Sequence, residues 1–479
     1  MVELLESYNI EVYGFQISVK IIQDGPFIRY EVEEPPLLES EAQMLAQIRE
    51  EVLKRISDGS VETLVSEEGI RVLNETIGKR GLNEQVKYYI MRDLLYYGPI
   101  TPFFWDQRVE DITCTSFQAP VTVFLKEYGY LQTNVSFRTE EEMISFSRRL
   151  AQFAGKQLSL ANPIIDGNLP DGSRIQISLG GLIATKGTTF TIRRFRERPI
   201  SFIDLCQLGT VTPEVLAFIW TCIEYGSNII VVGGTAAGKT TFLNAILQFV
   251  PQNKKIVTIE DTREINIMHD NWLPMVTRTA PVQNQDQDSS IDMFMLLESA
   301  LRHRPNYIIV GEVRGREAFT IFQALSAGRY GLATFHADDF ESFLNRMESN
   351  PINLPRTLIT TLDLVIVLST RFGKYGLERK LNTVVEVVGL DPDTGEVITN
   401  DLYRRESDSY AYAGFSYVLE KIGNREGLTL EAIKDQMTKR ERFIDLMMKK
   451  GISQYERISP EVDRFQHDQD ASLSSLENQ

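Results

Sequence analysis

The chain has 479 residues, of which 43% are hydrophobic and 24% are charged, and its formal net charge is −16. This length exceeds what one ordinary hydrophobic core can organise, so two or three globular domains are expected. The acidic balance argues against a general nucleic-acid-binding protein, which needs clustered Lys and Arg, and we expect no direct nucleic-acid partner.

Cysteine usage and hydropathy indicate where the protein works. Cys114, Cys206 and Cys222 form neither a C-x-x-C pair nor an even set for disulfides, so a reducing cytoplasm is expected. The first ten residues lack the features of a signal peptide, and no stretch reaches the roughly 18 apolar residues that span a membrane. Any association with the inner face of the cell membrane is therefore expected to go through a partner.

The segment 1–95 is predicted to combine acidic strands with a small helical subdomain. Alternating apolar residues over 15–21 and 27–32 indicate two strands around a turn, and apolar residues at helical spacing follow over 40–97. The first fifty residues carry ten acidic and three basic side chains. A solvated face and an acidic docking surface are the two interpretations of this charge.

Short β-rich runs around one helical stretch predict an α+β domain over residues 96–195. Arg174 follows a turn in this domain, and Arg193 and Arg194 end a predicted strand. Cations held on strands near a domain border can reach a γ-phosphate as arginine fingers. For each arginine, an ordinary surface position is the alternative. Residues 196–212 are predicted to form a linker.

The segment 213–465 is predicted to be a mainly parallel α/β domain, because its apolar runs show little alternation and are separated by helical stretches. These runs cover residues 228–232, 255–259, 307–310, 332–335 and 364–368. Two later runs, 383–390 and 396–403, predict an antiparallel hairpin, and an amphipathic helix is predicted from Thr429. The serine-rich tail 466–479 is predicted to be disordered.

A glycine-rich loop at 233–240 joins the apolar run 228–232 to a predicted helix. It matches G-x-x-x-x-G-K-[ST], in which backbone N–H groups surround a phosphate and the helix directs its positive end at the anion. We expect Lys239 to reach the β- and γ-phosphates and Thr240 to hold Mg²⁺. Residues 253–256 (NKKI) do not complete the base-reading motif of GTPases, so ATP is favoured. The expected nucleotide-binding residues are Gly233, Gly234, Thr235, Ala236, Ala237, Gly238, Lys239, Thr240 and Thr241.

Three further side chains follow predicted strands. The carboxyl ends of parallel strands face one crevice in an open sheet, so Glu260, Glu312 and His336 are expected beside the phosphate loop. A carboxylate there can orient or deprotonate the attacking water, or hold Mg²⁺ directly or through water, and we prefer these roles to surface positions. For His336, a sensor of the γ-phosphate and a hydrogen-bonded core histidine both remain open.

In their order along the chain, these motifs resemble the type II/type IV secretion ATPase superfamily, and within it the archaeal branch that assembles type IV pili and the archaellum. The resemblance covers most of residues 90–370. Its segments are 166–178 (DGNLPDGSRIQIS), 189–195 (TFTIRRF), the phosphate loop, 258–264 (TIEDTRE), 304–316 (RPNYIIVGEVRGR) and 333–337 (ATFHA). The chain lacks the four-cysteine zinc module common in bacterial assembly ATPases, and Gly328-Arg329 stands where the family usually has Gly-His.

The resemblance implies a homo-hexameric ring with nucleotide between a PAS-like N-terminal domain and a RecA-like P-loop domain. It also implies that ATP hydrolysis drives a polytopic membrane platform protein and, through it, pilin subunits. The implied roles are Walker B glutamate for Glu312, Asp-box residue for Glu260, His-box residue for His336, and N-domain arginines for Arg174, Arg193 and Arg194. An archaellum motor, a traffic ATPase of a conjugation-type secretion system and a non-catalytic scaffold remain alternatives.

Overall fold

A computed structural model of the chain describes residues 2–55, 67–78, 82–181, 183–195, 199–278, 290–373, 376–407 and 409–478. The described residues form two compact units, one up to residue 195 and the other from residue 199. Each unit has its own hydrophobic core. Within the described residues, no helix is long and apolar enough to cross a bilayer.

The first unit is built on one large sheet. Its strands are β1 Val2–Val12, β2 Phe15–Asp24, β3 Phe27–Glu33, β4 Val109–Cys114, β5 Thr122–Leu125, β6 Gly129–Thr133, β7 Ile164–Asn168, β8 Arg174–Ser178 and β9 Thr189–Arg193. Its helices are α1 Glu39–Arg55, α2 Glu67–Gly78, α3 Glu84–Leu94, α4 Thr101–Trp105 and α5 Glu140–Phe153. In the described part of this unit the nine strands lie in the order β1-β2-β3-β6-β5-β4-β9-β8-β7, and only β3 and β6 pair in parallel.

Local sequence explains these elements. In β2, Ile17, Val19 and Ile21 are fully buried while the residues between them are partly exposed, as the two-residue period of a strand requires. Helix α5 begins after Thr139, whose hydroxyl accepts a hydrogen bond from the Glu142 N–H at 3.2 Å. The alternating runs predicted over 15–21 and 27–32 are therefore confirmed as strands.

The predicted boundary between residues 1–95 and 96–195 is wrong. Strand β3 pairs with β6, so the N-terminal strands extend the sheet of the α+β domain. The hydroxyl groups of Tyr8 and Tyr30 also donate to the Asp106 carboxylate, at 2.6 and 2.7 Å. Pairing between strands about a hundred residues apart leaves no local sequence signal, which is why the boundary was misplaced.

The second unit contains a mixed sheet covered by helices. Its strands are β10 Ile229–Gly233, β11 Ile256–Glu260, β12 Trp272–Val276, β13 Tyr307–Val313, β14 Tyr330–His336, β15 Leu364–Gly373, β16 Gly376–Leu390, β17 Val397–Glu406 and β18 Ser409–Tyr412. Its helices are α6 Phe202–Gln207, α7 Pro213–Glu224, α8 Lys239–Ile246, α9 Met293–Arg302, α10 Glu317–Ser326, α11 Phe340–Glu348, α12 Arg356–Ile359, α13 Tyr417–Glu426, α14 Leu430–Lys449, α15 Tyr455–His467 and α16 Gln469–Asn478.

Strand order in this unit is β12-β11-β13-β14-β10-β15-β16-β17-β18 over the described residues. Strands β10 to β15 are parallel, and the strands from β15 to β18 are antiparallel. All five residues of β10 are buried, as expected of a strand covered on both faces. The predicted α/β, RecA-like fold is confirmed, as is the hairpin formed by β16 and β17.

The linker prediction for 196–212 is wrong where the structure describes it. Residues 196–198 lie outside the described residues. Helix α6 begins after Ser201, whose hydroxyl accepts from the Asp204 N–H at 3.1 Å. Phe202 is fully buried, with its ring 4.8 Å from that of Phe249. The apolar residues of this segment therefore pack into the core of the second unit.

The predicted disordered tail is also helical up to residue 478, as helix α16. Leu473 and Leu476 are only 5% and 1% exposed. They are three residues apart, so they share one face of the helix, and they join the core cluster that includes residues of α14. Because the segment is rich in serine, its composition does not indicate this short apolar face. The helix predicted from Thr429 is confirmed as α14.

Candidate functional site

The phosphate loop connects β10 to α8 in a conformation that depends on glycine. Gly238 has φ +84° at the N-terminus of α8, a left-handed conformation that glycine adopts without strain. A Cβ on Gly233 would lie 2.8 Å from the Leu368 carbonyl oxygen, so β15 packs directly against the start of the loop. Ala236 also adopts a left-handed conformation, with φ +61°.

Lys239 is the first residue of α8, and its side chain turns back over the loop. The Nζ group donates to the carbonyl oxygens of Gly233 at 2.9 Å and Gly234 at 3.1 Å. Partial burial lowers the pKa of this ammonium, while the nearby Glu312 carboxylate opposes that shift. A partly desolvated cation at the start of the helix that follows the loop is suited to bind a phosphate.

Glu260, at the end of β11, is almost fully buried, being 2% exposed. Its Oε1 accepts hydrogen bonds from the backbone N–H groups of Glu264 and Ile265, both at 2.9 Å. Its Oε2 is buried and has no hydrogen-bond partner among the described residues. Burial raises the pKa of this carboxyl group to about 7, against the lowering effect of the two N–H donors. Such a group can accept or release a proton near neutral pH.

The position of Glu260 depends on a glycine in the neighbouring strand. A Cβ on Gly311 of β13 would lie 3.0 Å from the Glu260 Cγ. The Glu260 side chain therefore occupies much of the space that the Cβ of a larger residue at 311 would need. Gly311 immediately precedes Glu312. The end of β13 therefore leaves room for the Glu260 side chain and also carries the Glu312 carboxylate.

Glu312 lies near the end of β13, where the pairing with β14 shifts register between Val310 and Val313. Its side chain is 29% exposed and accepts a hydrogen bond from the Arg314 Nε at 2.8 Å. Arg314 also lies 3.5 Å from the Asp261 carboxylate. Sequence reasoning placed Asp261 at this strand end without giving it a role and did not single out Arg314, although both immediately follow strand ends.

A pocket of about 290 Å³ opens beside these groups, and Asp261, Asp292, Phe294, Glu312, Arg314 and Arg316 are among the residues that line it. The turn after β13 is held by the Glu317 carboxylate, which accepts hydrogen bonds from the N–H groups of Arg314 at 2.6 Å and Gly315 at 2.7 Å. Glu317 is 9% exposed, so it supports the turn from inside.

His336 ends β14 and is paired in register with Gly233, the first residue of the phosphate loop. Its carbonyl oxygen accepts a hydrogen bond from the Arg346 guanidinium group. Two residues later, the Asp338 carboxylate approaches the loop, and a Cβ on Gly234 would lie 2.8 Å from its Oδ1. Sequence reasoning did not single out Asp338, although the strand-end argument used for His336 extends to it.

The three predicted arginines lie in the first unit. Arg174 is exposed and forms an ion pair with Asp166 at 2.7 Å. Arg193 is exposed on β9, opposite Asp111 of β4. Arg194 donates to the backbone carbonyls of its own unit, including that of Val109 at 3.1 Å. These contacts give Arg194 a structural role in this unit.

A parallel sheet carrying a phosphate loop and strand-end carboxylates defines a P-loop protein with a RecA-like domain. Residues 97–375 match the family model described as Type II/IV secretion system protein. This match spans more than half of the chain, and the chain belongs to that family.

Individual relatives extend this comparison. An uncharacterized protein of Methanocaldococcus jannaschii is 36% identical over 423 residues, covering 85% of this chain and 76% of that protein. A putative conjugal transfer protein of Mycobacterium tuberculosis is 30% identical over 272 residues, or 54% of this chain and 74% of its own length. The crystal structure of the VirB11 ATPase from the Brucella suis type IV secretion system is 23% identical, with a TM-score of 0.31, and the match covers 60% of this chain and 91% of that one.

Proposed function

We propose that the chain is an ATP hydrolase that drives assembly of an archaeal type IV filament. The observation that supports the hydrolase activity is that Lys239 begins the helix after β10, while Glu260 and Glu312 lie at the ends of β11 and β13 in the same parallel sheet. A phosphate-binding cation and two carboxylates at one edge are what phosphoryl transfer to water requires.

In this proposal the loop N–H groups and Lys239 bind the phosphates of ATP. Thr240, in the first turn of α8, and Glu312, directly or through water, would hold Mg²⁺, which neutralises charge on the phosphates when bound. The buried, unpartnered Oε2 of Glu260 fits this arrangement, because it can accept a hydrogen bond from ordered water. Glu312 orients the attacking water and accepts its proton.

Two substitutions test the hydrolase activity. Lys239→Ala removes the cation that binds phosphate, so nucleotide binding and turnover are both expected to be lost. Glu312→Gln keeps the shape of the side chain but not its basicity, so turnover is expected to fall about 10²- to 10⁴-fold while binding survives. Mg²⁺-dependent phosphate release and binding of a fluorescent ADP analogue measure the two effects.

Glu298→Gln, which removes an exposed carboxylate from α9, is the matched control and is expected to keep full activity. Undiminished turnover in both Lys239→Ala and Glu312→Gln would refute the hydrolase. Nucleotide binding without hydrolysis, even with its membrane partner present, would instead favour a scaffold whose nucleotide only stabilises the assembly.

The proposed motor is a homo-hexamer that acts on a polytopic platform protein at the inner face of the membrane and, through it, on pilin subunits. Family membership and the extended similarity to a Methanocaldococcus jannaschii protein support this proposal. An archaellum motor would have the same site chemistry. Co-purification from native membranes distinguishes them, since an archaellum motor is expected to retain rotary switch components and a pilus motor only a platform protein.

A traffic ATPase of a conjugation-type secretion system is the second candidate. The similarity to a relative named as a putative conjugal transfer protein favours it. In the same co-purification experiment, recovery of a secretion-channel component without a pilin platform would support this candidate and contradict the filament motor.

A further inference from the structure

An arginine far along the chain holds the phosphate loop from outside. Strands β15 and β16 pair in antiparallel fashion, and β15 runs five residues past Leu368, the partner of Gly233, to Gly373. Arg379 lies in the corresponding part of β16, opposite Thr370. From there its Nε donates a hydrogen bond to the Ala236 carbonyl oxygen at 2.9 Å.

This hydrogen bond falls on the residue of the loop that needs support. Ala236 has φ +61°, a left-handed conformation that is unfavourable for a residue with a Cβ. The aliphatic part of Arg379 also covers Gly238, since a Cβ there would lie 3.0 Å from the Arg379 Cδ. One side chain thus restrains both the strained alanine and the glycine that begins α8.

We propose that Arg379 is a positioning residue for nucleotide binding, which acts by holding residues 236–238 in the conformation that receives the phosphates. This inference rests on the proposed nucleotide hydrolysis. The guanidinium group suits the task because its planar donors have fixed directions, whereas a lysine ammonium on a flexible stem restrains a carbonyl less well. Among the described residues, the hydrogen bond of Arg379 goes to the loop backbone and not to Glu260 or Glu312, so we expect its contribution to be to binding.

The test is Arg379→Gln in the full chain, measured by fluorescent ADP binding and by steady-state ATP hydrolysis. The expected result is about tenfold weaker binding and an equally raised KM, with kcat changed less than twofold, because one charge-assisted hydrogen bond is lost. Arg379→Lys is expected to recover part of the affinity. Position 379 is on the partly exposed hairpin, so the thermal unfolding of both variants without nucleotide should match that of the wild type.

The matched control is Arg371→Gln on the same hairpin, where Arg371 pairs with Glu378 at 2.9 Å. It is expected to leave the KM unchanged. A double-mutant cycle combines Arg379→Gln with Ala236→Gly, which removes the backbone strain at position 236. In this background, Arg379→Gln should weaken binding less than threefold. If Arg379→Gln weakens binding about tenfold in the Ala236→Gly background as well, Arg379 does not act through the loop conformation.

The outcomes separate this inference from the proposed function. If the wild type neither binds nor hydrolyses ATP, the proposed function fails and Arg379 loses its role with it. If the wild type is active and Arg379→Gln behaves like Arg371→Gln, only the positioning role of Arg379 is overturned. A fall in kcat at unchanged KM would also overturn it, because the loop would then not limit binding.

Discussion

Glu260 shows how the environment of one side chain sets its chemistry. The carboxylate is enclosed over Gly311, and two backbone N–H groups are bonded to only one of its oxygens. Because burial dominates, its pKa is raised to about 7, so it exchanges a proton in the pH range where the protein is expected to work. Sequence reasoning placed this carboxylate beside the phosphate loop but did not predict its burial.

The raised pKa of Glu260 predicts a pH dependence of stability. The folded state holds this proton more tightly than the unfolded state, so the stabilisation is fully present below the unfolded pKa of about 4.5 and is lost as pH rises through about 7. Glu260→Gln keeps a neutral side chain at all pH values. The free energy of unfolding of this variant, relative to the wild type, should therefore rise by up to about 3 kcal/mol between pH 5 and 8.

Urea unfolding at a series of pH values measures this difference. Glu298→Gln, which alters an exposed carboxylate on α9 away from Glu260, is the control and should follow the wild type. A constant difference between Glu260→Gln and wild type over this pH range would contradict the raised pKa.

At the scale of the element, helix α16 stabilises the second unit through two leucines. Leu473→Ala with Leu476→Ala removes most of its buried apolar surface. The double variant is expected to lower the free energy of unfolding by about 3 to 5 kcal/mol, as for other buried leucines. Urea unfolding measures this loss of stability.

Leu208→Ala, at a leucine that is 53% exposed, is the control and should lower the free energy of unfolding by well under 1 kcal/mol. A loss of that small size in the double variant would mean that α16 does not stabilise the unit.

The β15–β16 hairpin both extends the sheet and positions a side chain at the phosphate loop. Its apolar part completes the sheet beside β10, and its far end brings Arg379 to the phosphate loop. The sequence pattern of β16 predicts a strand that pairs with β17, the next strand along the chain. Nothing local predicts that an arginine 143 positions after Ala236 contacts it.

At the scale of the whole molecule, the two units have separate cores, so calorimetry is expected to resolve two unfolding transitions. Saturating MgADP should raise the transition of the second unit, which contains Lys239, Glu260 and Glu312. At 100 times the Kd the gain is about 3 kcal/mol, or a few degrees in Tm. The Leu473→Ala, Leu476→Ala variant identifies this transition by lowering it. An equal shift in Lys239→Ala would contradict binding at the phosphate loop.

Much of the second unit could be predicted from sequence because its signals are local. The apolar runs, the glycine spacing and the carboxylates after strand ends each lie within about ten residues, and parallel strands direct their ends to one crevice. The first unit was predicted less well. Its N-terminal strands join the sheet through β3 and β6, a pairing between distant segments that has no local pattern.

Short-range pattern and backbone chemistry are sufficient to predict the phosphate loop, the strand-end carboxylates and the parallel sheet that carries them. The enclosure of Glu260 over Gly311, the approach of Asp338 and Arg379 to the loop, and the packing of the tail as α16 become visible only in the folded chain. These features depend on contacts between residues far apart in the chain, where burial and close approach are settled by packing.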